Sequence, residues 1–156
     1  MAAGEGGIVV DAAVEIIGTG SAPGNASVSV GAMTTTASSL LALATYQTRQ
    51  FRTLVFDGSF AATTSLAAGD TIDIYERAMN ISDTTDDANQ PDATNKHRLV
   101  GSFQVDAGQT GQVLESNPIP VKPYDVEYFF LNNAGEAISA SWTVDVIHWS
   151  NNASQS

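Results

Sequence analysis

The sequence predicts an all-β fold, an antiparallel sandwich or barrel, and three observations carry that prediction. Short segments of alternating apolar and polar residues succeed one another, separated by turns rich in Gly, Asp, Asn and Pro. No segment shows apolar residues at helical spacing over a helix's usual length. The chain has 156 residues, of which 43 % are hydrophobic and only 15 % charged, enough to bury the core of one domain without disulfides. No internal repeat and no second domain is visible.

Taken in order, residues 1–7 are small and Gly-rich. Ile8 to Gly18 (IVVDAAVEIIG) is mostly apolar; helix is possible, but its Val and Ile content and Gly-rich exit favour strand. Residues 19–26 form a loop with Gly20, Pro23 and Gly24. Ser27 to Gly31 alternates strictly and suits a short strand, and residues 32–39 are a Thr/Ser-rich connector. Leu40 to Tyr46 is ambiguous between helix and strand. Phe51 to Phe60 reads as a central strand, and Leu66 to Asp70 as a turn. Thr71 to Met79 is a strand with Ile72 and Ile74 on one face and Asp73 and Tyr75 on the other. A polar loop follows from Asn80 to His97.

Arg98 to Val105 is a strand placing Leu99, Phe103 and Val105 on one face. A Gly/Asp turn leads to a short strand at Val113 to Glu115. Residues 117–123 carry Pro118, Pro120 and Pro123, so they are extended and excluded from a central strand. Tyr124 to Leu131 alternates Val126, Tyr128 and Phe130 against Asp125 and Glu127. Asn132 to Glu136 has the composition of a hairpin turn. Ile138 to Trp149 is the clearest strand, with Ile138, Ala140, Trp142, Val144, Val146 and His148 on one face. The predicted core is Phe56, Ile72, Ile74, Leu99, Phe103, Val126, Tyr128, Phe130, Trp142, Val144 and Val146.

Charge narrows the partners. Six Lys plus Arg against 17 Asp plus Glu give a net charge of −11. Six scattered cations build no basic patch, so neither nucleic acid nor an anionic membrane is an expected partner. With no cysteine, structural disulfides, thiolate nucleophiles and cysteine-ligated metals are excluded. Residues 1–7 show no basic n-region or long apolar h-region, and no stretch approaches the ~18 apolar residues of a membrane helix.

Chemical motifs are few. Gly18, Gly20 and Gly24 mimic a dinucleotide fingerprint, but Pro23 stands where the close-packing glycine belongs, and a strand pattern follows instead of a helix. Asp83, Asp86, Asp87, Asn89 and Asp92 offer oxygen ligands that suit calcium, without EF-hand spacing; the plainer reading is a solvated acidic loop. His97 and His148 have no nucleophile or second ligand nearby in sequence, and His148 reads as a partly buried strand-end residue bonded to backbone. Asp125 and Glu127 share a strand face, as a glycosidase pair would, though a solubilising role is the simpler one. Among Tyr75, Tyr124, Tyr128, Trp142 and Trp149, Trp142 and Tyr128 read as core and Trp149 as the candidate exposed contact. Sequons at Asn25, Asn80 and Asn152 are taken as chance. The expectation is therefore a non-enzymatic protein with no catalytic, cofactor-binding or metal residues.

From Phe51 to Trp149 the chain resembles small β-sandwich virion proteins of tailed bacteriophages. The resemblance is carried by LAAGDTIDIY (Leu66–Tyr75), RLVGSF (Arg98–Phe103), PVKPYDVEYFF (Pro120–Phe130) and NAGEAISASW (Asn133–Trp142), in an acidic, low-charge, cysteine-free background. It implies an antiparallel, jelly-roll-like β-sandwich. The implied function is structural: a capsid decoration (cement) protein on the virion surface that binds the major capsid protein or other virion proteins and commonly trimerises. A carbohydrate-binding module or receptor-binding tail tip is the alternative, and a small hydrolase ranks below both. On this reading residues 1–39 are an N-terminal extension with one or two strands, 40–150 the sandwich, and 151–156 a polar tail. The β-prone stretch Ile8 to Ile17 would then make an intersubunit or capsid contact by strand addition, in a homo-oligomer; an ordinary edge strand of the same sandwich is the other option.

Overall fold

The computed structural model describes residues 7–81 and 87–152, and they fold as a sandwich of two antiparallel sheets. The strands are β1 (Gly7–Val10), β2 (Val14–Ile17), β3 (Phe51–Ser59), β4 (Thr71–Met79), β5 (Leu99–Gln104), β6 (Gly111–Glu115), β7 (Ile119–Pro120), β8 (Asp125–Asn133) and β9 (Thr143–Asn152). One short helix, α1, spans Leu43–Tyr46. The larger sheet runs β1-β9-β3-β6, with β2 also on β9 and β7 also on β3; the smaller runs β5-β4-β8.

Residues 28–41 lie along the outer edge of β8, bridging Met33 to Leu131 and Leu41 to Val126. Where this irregular segment departs from β8, hydroxyls substitute for carbonyls: Tyr128 N donates to Ser38 Oγ (3.0 Å) and Phe130 N to Thr34 Oγ1 (3.1 Å). Treating 28–41 as the second strand, and β1 with β2 as an interrupted first, gives a simple order. The first, eighth, third and sixth strands form one sheet, and the second, seventh, fourth and fifth form the other. This is a jelly-roll order, and the sandwich expected from the sequence is present.

Alternation builds the core. Arg52, Leu54 and Phe56 of β3 and Val144, Val146 and His148 of β9 face Ile72, Ile74, Glu76 and Ala78 of β4 and Val126, Tyr128 and Phe130 of β8; all are buried. Four aromatic rings close one region of the interior. Phe56 packs on Trp142 and on Phe103, each at 5.9 Å between centroids, and Phe130 meets Phe103 at 6.2 Å and Trp142 edge-on at 6.0 Å. Trp142 Nε1 donates to Ala26 O at 3.0 Å, so its one polar group is satisfied. A satellite cluster of Met33, Tyr75, Phe129 and Leu131 lies on the other face of the smaller sheet. It explains why consecutive residues 128–131 are all buried.

Several sequence expectations need correction. Leu99 is not core: it is 59 % exposed. The β4–β5 register shifts between Ile74 and Tyr75, so that Ile74 faces Gly101 but Tyr75 faces Leu99. Val100 is the extra residue of this bulge, and the slip turns Leu99 to the outer face. Asn132 to Glu136 is no hairpin turn, because β8 and β9 lie in different sheets. Buried Asn132 organises the departure of the chain instead: its Nδ2 donates to Val28 O and Glu136 O, and its Oδ1 accepts from Ala134 N. β9 begins at Thr143 and not at Ile138; Ser141, at φ 69°, breaks the extension, and Ala140 is exposed. Ser27 to Gly31 forms only a single bridge, Val28 to Ile138. Ile8 to Ile17 is two strands, interrupted at 11–13, that both pair with β9 of the same chain.

Candidate functional site

The sequence nominated no catalytic set, and the most unusual chemistry sits where alternation carries charge into the core. Arg52 follows the inward register of Leu54 and Phe56, and Glu76 that of Ile72, Ile74 and Ala78. Across the gap between the sheets they meet the other inward polar residues, Tyr128 and His148. All four are essentially without solvent exposure. Arg52 Nε donates to His148 Nε2 at 2.9 Å, and Arg52 Nη1 donates to Tyr128 Oη at 3.1 Å. Arg52 Nη2 and Glu76 Oε2 are buried without a hydrogen-bond partner. A guanidinium can only donate, so His148 Nε2 must offer its lone pair. His148 is therefore neutral, with its proton on Nδ1.

The electrostatics agree with that geometry. Burial, then the Arg52 charge, pushes His148 down to about 4. Burial also pushes the Tyr128 phenol up to about 12. Burial raises Glu76, against the lowering pull of Lys122, Arg52 and Arg98. The Tyr46 ring of α1 caps the cluster, stacked on His148 at 3.6 Å and 3°. The expectation that His148 is a strand-end residue bonded to backbone is thus corrected: its ring bonds a side chain and is fully buried. Arg52 and Glu76 were not singled out from the sequence, although both stand at inward positions of alternating strands.

The second feature is an open edge. The outer edge of β8 is covered by residues 28–41. That of β5 is met by Asn117, whose Oδ1 accepts from Ser102 N and whose Nδ2 donates to Val100 O, and by the Phe103–Ser116 bridge. Among the described residues nothing pairs with the outer edge of β1. Ile8 is 67 % and Val10 59 % exposed. Val10 is in register with Trp149, Trp149 with Phe51, and Phe51 with Pro120, forming an apolar row across the outer face of the larger sheet. Phe51 and Trp149 stack at 4.8 Å, and Trp149 Nε1 donates to Thr53 Oγ1, so Trp149 is half-buried.

The remaining candidates are engaged locally. Asp125 accepts from Leu43 N and Asn80 Nδ2, which hold its carboxyl below the usual range, the reverse of a general acid's requirement. Glu127 pairs with Arg77 at 3.1 Å. Asp92 accepts from Thr94 N, Asn95 N and Asn95 Nδ2, and Asp87 from Asn80 N. Asp83 and Asp86 lie outside the described residues. Among the described residues no three His, Asp or Glu side chains converge as a metal set. His97 places its two ring nitrogens 2.9 and 3.0 Å from Asn95 O and Asn89 O. Tyr124 Oη accepts from Arg98. Gly18 and Gly20 lie in the loop after β2, with no helix behind them. Among the described residues no helix is long and apolar enough to cross a membrane. Compared with protein-family models, with curated proteins and with solved structures, the chain matches none.

Proposed function

We propose that this chain is a non-enzymatic virion structural protein, a capsid decoration protein that binds the major capsid protein and associates with copies of itself as a trimer. The observation that supports this reading most is the β1 edge. Natural sheets blunt open edges with charge, proline or a bulge. Here the edge residues Gly7–Val10 carry no charge on a molecule of net charge −11, and the side chains of Ile8 and Val10 are exposed. Such an edge suits addition of a strand from a neighbour, which supplies the backbone hydrogen bonds that solvent otherwise makes.

The test is Ile8→Lys with Val10→Lys, examined by sedimentation and by binding to phage heads. The proposal expects a native trimer that decorates heads and a folded, monomeric variant that does not. A native protein that is monomeric and indifferent to heads overturns it. The stacked Phe51–Trp149 pair favours one other reading, a carbohydrate-binding surface, since aromatic faces receive sugar rings. Binding on a glycan array that Trp149→Ala abolishes would select it.

A further inference from the structure

We propose that residues 42–50 form an acid-released strap, held at its start by Asp125, at its middle by His148 and at its end by Asp11, so that protonating these groups frees the segment and bares the Arg52–Glu76–Tyr128–His148 cluster. Each fastening is a direct contact. Leu43 N donates to Asp125 Oδ1 at 2.7 Å. Tyr46 lies flat on His148. Arg49 makes a bidentate bond with Asp11, Nε to Oδ2 at 2.9 Å and Nη2 to Oδ1 at 2.7 Å, the strong fork geometry. On either side the chain is fixed independently of charge, by the Leu41–Val126 bridge and, at the far end, by the neutral hydrogen bonds of Gln50 with Ser150, Asn151 and Val121 and the pairing of Phe51 with Trp149 and Pro120. Between those anchors Ala44, Thr45, Gln47 and Thr48 are exposed, and no residue of α1 is fully buried.

Acid acts on all three fastenings in the same direction. Hydrogen bonds from Asn80 and Leu43 hold Asp125 low, and those from Arg49 hold Asp11 low. Both contacts are present while the carboxylates are ionised and weaken as pH falls through their lowered values. His148 differs in type but agrees in sign. A proton on Nε2 removes the acceptor of Arg52 Nε and sets two cations in contact inside the core. The groups beside His148 are Arg52 from β3, Tyr46 and Arg49 from the strap, and Asp11 from the β1–β2 link; Tyr128 of β8 and Glu76 of β4 are linked to it through Arg52. Glu76 opposes the trend: raised by burial, it gains a proton at milder acidity, which eases its own burial but leaves the strap's contacts intact.

Hydrogen exchange on the whole chain, as protection factors at pH 7 and in acid (pH 4, where His148 titrates, and pH 2.5, to reach the two lowered carboxylates), tests the strap. The expected result is at least a tenfold loss of protection in residues 43–50 relative to β4 and β8, much reduced in His148→Gln, whose amide accepts from Arg52 without titrating. Asp11→Asn, a change at the surface, gives a second reading: it should loosen residues 48–50 already at pH 7. Protection in 43–50 that follows β4 and β8 at every one of these pH values overturns the proposal, whether it holds everywhere or falls everywhere. Unchanged protection in Asp11→Asn does the same for the strap's end.

Discussion

The interior of the sandwich has two unlike regions, two to four residues apart along the same strands. Around Phe56 and Phe130 the facing side chains are aromatic rings, with Trp142 and Phe103 completing the group. Around Arg52 and Tyr128 they are polar, with His148 and Glu76. Both regions are equally closed to water, and both are built by the same alternation. The difference lies in how each holds together. The aromatic region depends on contact area and the neutral hydrogen bond from Trp142 to Ala26, and is indifferent to pH. The polar region depends on one protonation state of His148 and keeps two ionisable groups, Arg52 and Glu76, whose charged forms dry burial disfavours.

That contrast is sharpest under truncation. Trp142→Ala should lose about 3–5 kcal/mol in denaturant unfolding, equally at pH 7 and pH 5, because it opens a cavity among Phe56, Phe130 and their neighbours. Arg52→Met should also lose about 3–5 kcal/mol, by removing one of the three cations that favour the buried Glu76 carboxylate and leaving His148 Nε2 and Tyr128 Oη without their donor. The regions separate in the double variant. Adding Glu76→Leu to Arg52→Met should recover the part of the loss owed to Glu76, whereas no second substitution near Trp142 restores missing volume so simply. A double variant that loses the sum of the two single changes would show that Arg52 and Glu76 act independently.

Acid gives a smaller effect, confined to the polar region. The folded state keeps His148 deprotonated down to about pH 4, while the unfolded chain protonates it near 6.5. Its contribution is therefore complete above pH 6.5 and is lost progressively toward pH 4. Over that interval the native protein should lose up to about 3 kcal/mol more than His148→Gln does. Glu76, shifted the other way, adds stability as pH falls in both proteins and cancels in the difference. The smallest effect belongs to Leu99. Leu99→Ser should change stability by under about 0.5 kcal/mol, because the bulge at Val100 has already placed that side chain in solvent.

Leu99 also marks the limit of what the sequence discloses. Alternation located β3, β4 and β8 closely and assigned ten of the eleven predicted core residues to the interior; it lost Leu99 because a bulge leaves no mark in the period. The strand expected at Ser27 to Gly31 and the hairpin expected after β8 share another cause. Their partners lie in distant segments, and side chains such as Ser38, Thr34 and Asn132 supply hydrogen bonds that pattern reading assigns to backbone. The polar cluster was legible in part. Arg52 and Glu76 stand at inward positions of two alternating strands, which a strict reading would have flagged, and His148 was placed on the inward face. That Arg52 and His148 meet depends on the β3–β9 register, and sequence spacing carries no trace of it.

The most direct test is a nitrogen-detected NMR titration of the His148 imidazole in the intact chain. A neutral ring protonated at Nδ1, unchanged from pH 8 until it titrates near pH 4, is the expected result. A ring that titrates near 6.5, or that carries its neutral-state proton on Nε2, would contradict the Arg52–His148 bond and with it the distinction between the two halves of the core.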